Sequence, residues 1–369
     1  MHYVRGRTTR QAHVDLPAGT VEEEYARGGF SGRASHLYRT RPPVEWTSVE
    51  GDLRPRAIAA TELPGLGDGA DWPSARVPFL TNADVTLHMA RLSRPMEHLF
   101  RNADADEVLF VHAGAGPLRT DFGPLGYEKG DYVVLPRGVT YALEPTEPST
   151  FLVIESTDEV KIPERGLLGQ HALFDLDVLE VPSPAEPRPD GTYRVVVQRA
   201  GRLSTITYPF DPLNVVGWKG DLYPYRLNVR DIRPVLSERY HLPPSAHATF
   251  VTPSVVICTF LPRGLETGDE GALRVPFYHS NIDYDEVLFY HDGDFFSRAG
   301  VSPGMVTFHP QGIHHGPQPG AVAAAKGKTR TSEQAVMIDT RRPLSVTAAA
   351  EAASIPNYHQ SWNRQENAK

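Results

Sequence analysis

A single cysteine, Cys258, in 369 residues excludes an intrachain disulfide and points to a reducing compartment, the cytoplasm by default. Cys258 lies in the apolar run SVVICTFLP, where it reads as a small buried hydrophobe rather than a reactive thiol. No apolar run approaches the roughly 20 residues needed to cross a bilayer, and no charged-then-apolar signal segment opens the chain. No membrane role is expected. Positive charge is also in deficit: 37 Lys and Arg face 45 Asp and Glu, for a net charge of −8. That is the wrong sign for nucleic acid or an anionic lipid surface as the main partner, and no helix-turn-helix pattern suggests a DNA-binding regulator. Helical signal is scarce, its best case being SVTAAAEAAS, alanine-rich and stopped before Pro356.

What the chain does contain is punctuation. Its 33 prolines and 31 glycines cut it into short segments, and between them lie β-rich runs: EVLFVH, DYVVLP, STFLVIES, TYRVVVQRAG, SVVICTFLP, EVLFYHDG, GMVTFHP and QAVMIDT. Short strands at regular spacing predict an all-β-dominated sandwich or barrel architecture. Residues 1–75 read as an irregular N-terminal arm and 346–369 as a C-terminal tail with the short helix. The Pro-rich stretch EVPSPAEPRPDGTY divides the remainder into units of 76–180 and 181–345.

Those two units contain a repeat. RNADADEVLFVHAGAG (101–116) aligns with SNIDYDEVLFYHDGDF (280–295), and GDYVVLPRGVTY (130–141) with GMVTFHPQGIHH (304–315). Two matches in the same order imply duplication of one β-barrel module. The second copy reads H-x-N-x4-E-x6-G and then G-x5-P-x-G-x2-H. This resembles the two motifs of the cupin superfamily, which implies two cupin-type double-stranded β-helix (jelly-roll) barrels. The ligand positions of the motifs fall on His279, Glu286 and His315, with Asn281 where many cupins have a further histidine. Two imidazoles and one carboxylate form a facial triad that leaves coordination positions open and suits non-haem Fe(II), although Mn, Ni or Zn can occupy similar ligands. His314 should face away from His315; His291, Asp283 and Asp285 read as loop, surface or supporting groups. In the first copy Phe100 and Tyr141 replace the two histidines. Glu107 alone cannot hold a transition metal, so one metal site is expected.

Further segments are similar to the homogentisate 1,2-dioxygenases: FDPLNVVGWKGDLYPYRLNV before the second barrel, PFYHSN and HGP around the motif histidines, NYHQSW near the C-terminus, and SHLYR in the arm. The resemblance spans most of the chain. It implies Fe(II)-dependent opening of an aromatic ring by O2, homogentisate as substrate, a place in aromatic (tyrosine) degradation, and a homo-oligomer, trimer or hexamer. It places iron on His279, Glu286 and His315, a contact to the substrate hydroxyl on His309, and the acid/base on His241, with His247 as a rival. The sequence departs from the family at Phe277, where a tyrosine is usual, and at Phe295 and Arg298, which stand for a tyrosine and a lysine associated with the substrate carboxylate. Arg298 can still pair with a carboxylate, and does so bidentately. Two other readings remain open: a Mn-dependent bicupin isomerase or decarboxylase, and a non-catalytic bicupin that binds a small molecule.

Overall fold

The computed structural model describes residues 1–69, 72–296, 298, 300–325 and 327–363. Its architecture is strand-dominated, with two short α-helices among the described residues, Pro319–Ala325 and Ala348–Ala352. The second lies in the alanine-rich stretch; the Thr347 hydroxyl caps it, accepting from the Ala350 amide at 3.2 Å.

Two sheets stand back to back. One runs, in hydrogen-bonded order, Tyr225–Asn228, Asp131–Leu135, Asp106–Ala113, Ser149–Ser156, Val85–Leu92, Arg76–Thr81 and Ser345–Val346. The other runs Ala248–Val251, Val255–Phe260, Gln334–Thr340, Asp285–Asp292, Val306–His309 and Arg56–Ile58. The repeat is therefore also a repeat of strand order: Asp106–Ala113 and Asp285–Asp292 hold equivalent places. Their EVLF runs are apolar without a break because both faces are covered. Val108 and Phe110 meet Val287 and Phe289 in the core between the sheets. Leu109 and Val111 instead face a third sheet, built on Leu99–Asn102, Thr140–Leu143 and Gly116–Thr120, across a second apolar core. The same alternation turns Glu286, Leu288 and Tyr290 away from the shared core. In the first module that inner face combines an apolar core with a buried Arg76–Glu107–Glu155 cluster; in the second it carries the histidines.

Strand pairing bears on two sequence expectations. Much of the N-terminal arm is irregular, but Val21–Ala26 pairs in parallel with Tyr278–Asn281, Ala34–Arg39 pairs antiparallel beyond it, and Arg56–Ile58 pairs with Val306–His309. The arm is thus built into the second module. The division at the Pro-rich stretch also does not follow the hydrogen bonds. Tyr193–Arg199 lies parallel to Leu99–Asn102, and Tyr225–Asn228 pairs with Asp131–Leu135, so these segments stay with the first module. Long-range strand pairing overrides local punctuation, which marks breaks but not partners.

Candidate metal centre

His279 lies on Tyr278–Asn281, Glu286 opens the next strand, and His315 meets His279 through an isolated antiparallel bridge. All three are buried, and their ligand atoms lie within 4.8 Å of one another. Both imidazoles point Nε2 at one carboxylate oxygen: His279 at 3.2 Å and His315 at 3.4 Å from Glu286 Oε2. Their Nδ1 atoms face main-chain carbonyls, Phe277 at 3.2 Å and Ile313 at 3.5 Å. A carbonyl only accepts, so those partners favour the proton on Nδ1 and a lone pair on Nε2. Three electron-rich atoms then converge with no proton between them. Such an arrangement fits a cation, and two imidazoles with a carboxylate fit a divalent transition metal.

His309 adds a third imidazole, its Nδ1 donating to Glu286 Oε1 at 2.9 Å. Its ring lies parallel to His315 with centroids 5.0 Å apart, and its buried Nε2 has no protein partner. Burial pushes the His309 pKa down to about 3 against the opposing pull of Glu286. Burial alone would raise the Glu286 carboxyl, but His315, His279 and His309 hold it well below the usual range. One strand over, Asp339 is paired in register with Glu286; burial and the Glu286 charge push its carboxyl well up.

The pocket beside these residues has a volume of about 100 Å³, of the order of the ~150 Å³ cavity that admits a single benzene ring. Its walls include Phe277, His247 and Arg298 together with His279 and Glu286. Neither His309 nor His315 is a wall residue, and two further sequence candidates also lie off the wall. His241 is fully buried and stacked on Phe277 at 3.7 Å, and does not line the pocket. Phe295 packs against Tyr290 at 4.7 Å in an apolar cluster with Met305 and Trp362, and is not a wall residue either. Both histidines are held toward the neutral form: burial and Arg263 push His247 down to about 3, and burial and His13 push His241 well down.

Several residues went unanticipated. Glu333 and Arg263 line the pocket, but Glu333 lies between two strands and Arg263 on a strand of only two residues, Arg263–Gly264, too short to be read from sequence. The Tyr358–Trp362 turn closes the site: Trp362 Nε1 donates to Gly316 O at 3.2 Å, next to His315, and its ring lies 6.0 Å from His309. The sequence singles out NYHQSW only for its family resemblance and assigns it neither a turn nor a place at the site. His314 does turn away, to Glu23. His291 and Asp285, expected near loops or solvent, are buried instead. His291 contacts His112 between the sheets at 3.0 Å. Asp285 accepts from the amides of Gln311 and Leu344 at 2.8 and 2.6 Å, the type of pairing that makes a buried carboxylate tolerable.

The first copy shows what replaces a metal. The Arg76 guanidinium enters where the cation would lie, bridging Glu107 and Glu155 and donating to the Tyr141 hydroxyl at 2.8 Å. Tyr141 in turn donates to Glu107 at 2.9 Å and accepts from Trp72 Nε1 at 2.9 Å.

Residues 74–229 match the family model described as homogentisate 1,2-dioxygenase N-terminal. Over 361 residues the chain is 32% identical to a Saccharolobus solfataricus protein named "Putative dioxygenase", covering 92% of each. It is 29% identical over 354 residues to homogentisate 1,2-dioxygenase of Bradyrhizobium diazoefficiens, covering 91% of this chain and 79% of that one. Among solved structures, a cupin 2 conserved barrel domain protein from Leptotrichia buccalis gives a TM-score of 0.34 at 11% identity, over 72% of this chain and 88% of the other. That likeness is too slight to add to the fold described above.

Proposed function

The chain belongs to the homogentisate 1,2-dioxygenase family, and from that premise we propose that it is an Fe(II)-dependent dioxygenase that opens the ring of homogentisate or a related hydroquinone-type aromatic, incorporating both atoms of O2. The observation that carries this reading is the convergence of His279, Glu286 and His315 on one point beside a ring-sized cavity. These three residues hold the metal. When bound, a ferrous ion supplies open coordination positions and the redox capacity for reaction between an aromatic ring and dioxygen.

The chain's own residues bind and orient the substrate. His309 is fixed by its Nδ1–H donation to Glu286, which leaves Nε2 free to accept a hydrogen bond from a substrate hydroxyl. Phe277 supplies an apolar wall where a ring can stack, and Arg298 is the anchor for a substrate carboxylate. Phe295 acts from behind the wall by packing against Tyr290. The acid/base is His247, in the pocket wall, or His241, which needs Phe277 to turn aside before its imidazole reaches the substrate. Comparing His247→Gln with His241→Gln decides between them: the acid/base variant loses kcat by about 10²–10⁴-fold, and the other does not. The working form is a homo-oligomer acting in a reducing, cytoplasmic setting.

The test is anaerobic reconstitution with Fe(II), followed by oxygen uptake with homogentisate, gentisate and other hydroquinones. Uptake coupled to loss of one aromatic substrate supports the proposal. No uptake with any of them, together with turnover of a non-aromatic acid on Mn(II), would move the assignment to an isomerase or decarboxylase.

A further inference from the structure

We propose that the N-terminal arm carries a second divalent-cation site, of zinc class, formed by His13, Glu22 and His36. The segment VEEEY places three consecutive glutamates on Val21–Ala26, and all three are buried: Glu22 at 2%, Glu23 at 0% and Glu24 at 6% exposure. Alternation along the strand gives them different partners. Glu23 faces one way and meets the Arg39 guanidinium and His314. Glu22 and Glu24 face the other, where among the described residues no lysine or arginine pairs with Glu22; its basic partners are imidazoles.

The geometry around Glu22 repeats that around Glu286. His13 Nδ1 and His36 Nδ1 are both directed at a single oxygen, Glu22 Oε1, His36 at 3.3 Å. The two rings are perpendicular with centroids 4.6 Å apart. All three ligand atoms lie within 4.8 Å of one another. The other carboxylate oxygen accepts from the His13 amide at 3.3 Å, so the carboxylate is held with Oε1 presented inward. Imidazole nitrogen and carboxylate oxygen are zinc ligands, and three of them leave a fourth position for water. His36 retains 26% side-chain exposure, which gives an ion a way in.

A second, independent feature points the same way. Next to the triad, Glu24 Oε2 and both ring nitrogens of His241 are buried without hydrogen-bond partners, and Glu24, His241 and His13 again come within 4.8 Å. His241 stacks on His13 at 3.7 Å. Buried polar atoms are almost always paired, so this concentration of unpaired ones around His13 marks a place where a cation is wanting. Where the chain needs a permanent positive charge beside buried carboxylates it supplies arginine, as at Glu107 and Glu23. Around Glu22 and Glu24 it supplies histidine, which binds metals. A cation there would clip the irregular first twenty residues to the strand pair that flanks His279.

The experiment is zinc binding to metal-free protein by equilibrium dialysis with metal analysis. The His315→Ala variant, whose first ligand set is broken, should still bind one zinc per chain. Adding His36→Ala or Glu22→Gln should weaken that binding at least tenfold, while His36→Ala in the otherwise intact chain should leave iron loading unchanged. Should His315→Ala fail to fold, the intact chain carries the test, with His36→Ala expected to bind one zinc fewer than wild type. Failure of folded His315→Ala to bind zinc, or zinc stoichiometry and affinity unaffected by His36→Ala and Glu22→Gln, overturns the site.

Discussion

Arg76 and His315 occupy related functional places in the two halves of the chain and separate what the fold needs from what the chemistry needs. Arg76 is buried between Glu107 and Glu155. Replacing it with methionine leaves two carboxylates without their cation, and removing one partner of a buried pair costs about 3–5 kcal/mol. Urea unfolding of Arg76→Met should show that loss; a change under 1 kcal/mol would mean the cluster is not held by charge. His315→Ala, in contrast, should lose iron and activity together, measured by metal content and oxygen uptake, because two remaining ligands cannot hold the ion in place of three. The sequence made these roles partly legible. The degenerate copy showed that Phe100 and Tyr141 stand where histidines do, but not that Arg76, outside both motif segments, reaches Glu107 and Tyr141. Spacing within a motif can be read from one strand; a guanidinium reaching in from another strand cannot.

At the scale of elements, the eight β-rich runs all fall on strands, because β-branched and aromatic residues between glycine and proline breaks carry a direct signal. The partners of those strands are another matter. Val21–Ala26 reads as an acid-rich loop because its three glutamates violate the apolar alternation by which a strand is recognised. The repeat glycines were legible and have a physical reason. Gly293 ends the Glu286 strand at φ +95°, where a Cβ would lie 2.0 Å from Ser332 O; its counterpart Gly114 sits at φ +89°, with a Cβ 2.6 Å from Pro148 O. Left-handed backbone alone costs a side chain about 1–3 kcal/mol, and a backbone clash adds to it. Gly293→Ala should therefore lower the thermal midpoint more than an alanine at Gly126, where nothing lies within 4 Å. Equal shifts in the two variants would show that the turn relaxes freely.

Across the whole molecule, the two modules meet through the apolar core between their sheets, and two histidines interrupt it. His112 Nδ1 and His291 Nδ1 lie 3.0 Å apart, so one ring donates to the other while both are neutral. His291 packs edge-on to Phe110 at 4.8 Å and His112 to Phe289 at 5.1 Å. Burial, then Lys129, pushes His112 down to about 4; burial, then His112 and Lys129, pushes His291 down to about 3, while Asp292 opposes both shifts. Against an unfolded value near 6.5, the unfolded chain binds more protons than the folded one between about pH 3 and 6.5. Stability must then fall as pH is lowered through 6.5, by a total on the order of several kcal/mol near pH 4, and the contribution is fully present only above 6.5. Denaturant unfolding across this window in wild type and in a His112→Leu/His291→Leu double variant checks it. The variant should show a shallower slope than wild type, because two neutral apolar side chains cannot take up protons, while His247 and His309, also held low by burial, keep their share. An unchanged slope would assign acid sensitivity elsewhere and leave the contact between the modules indifferent to pH.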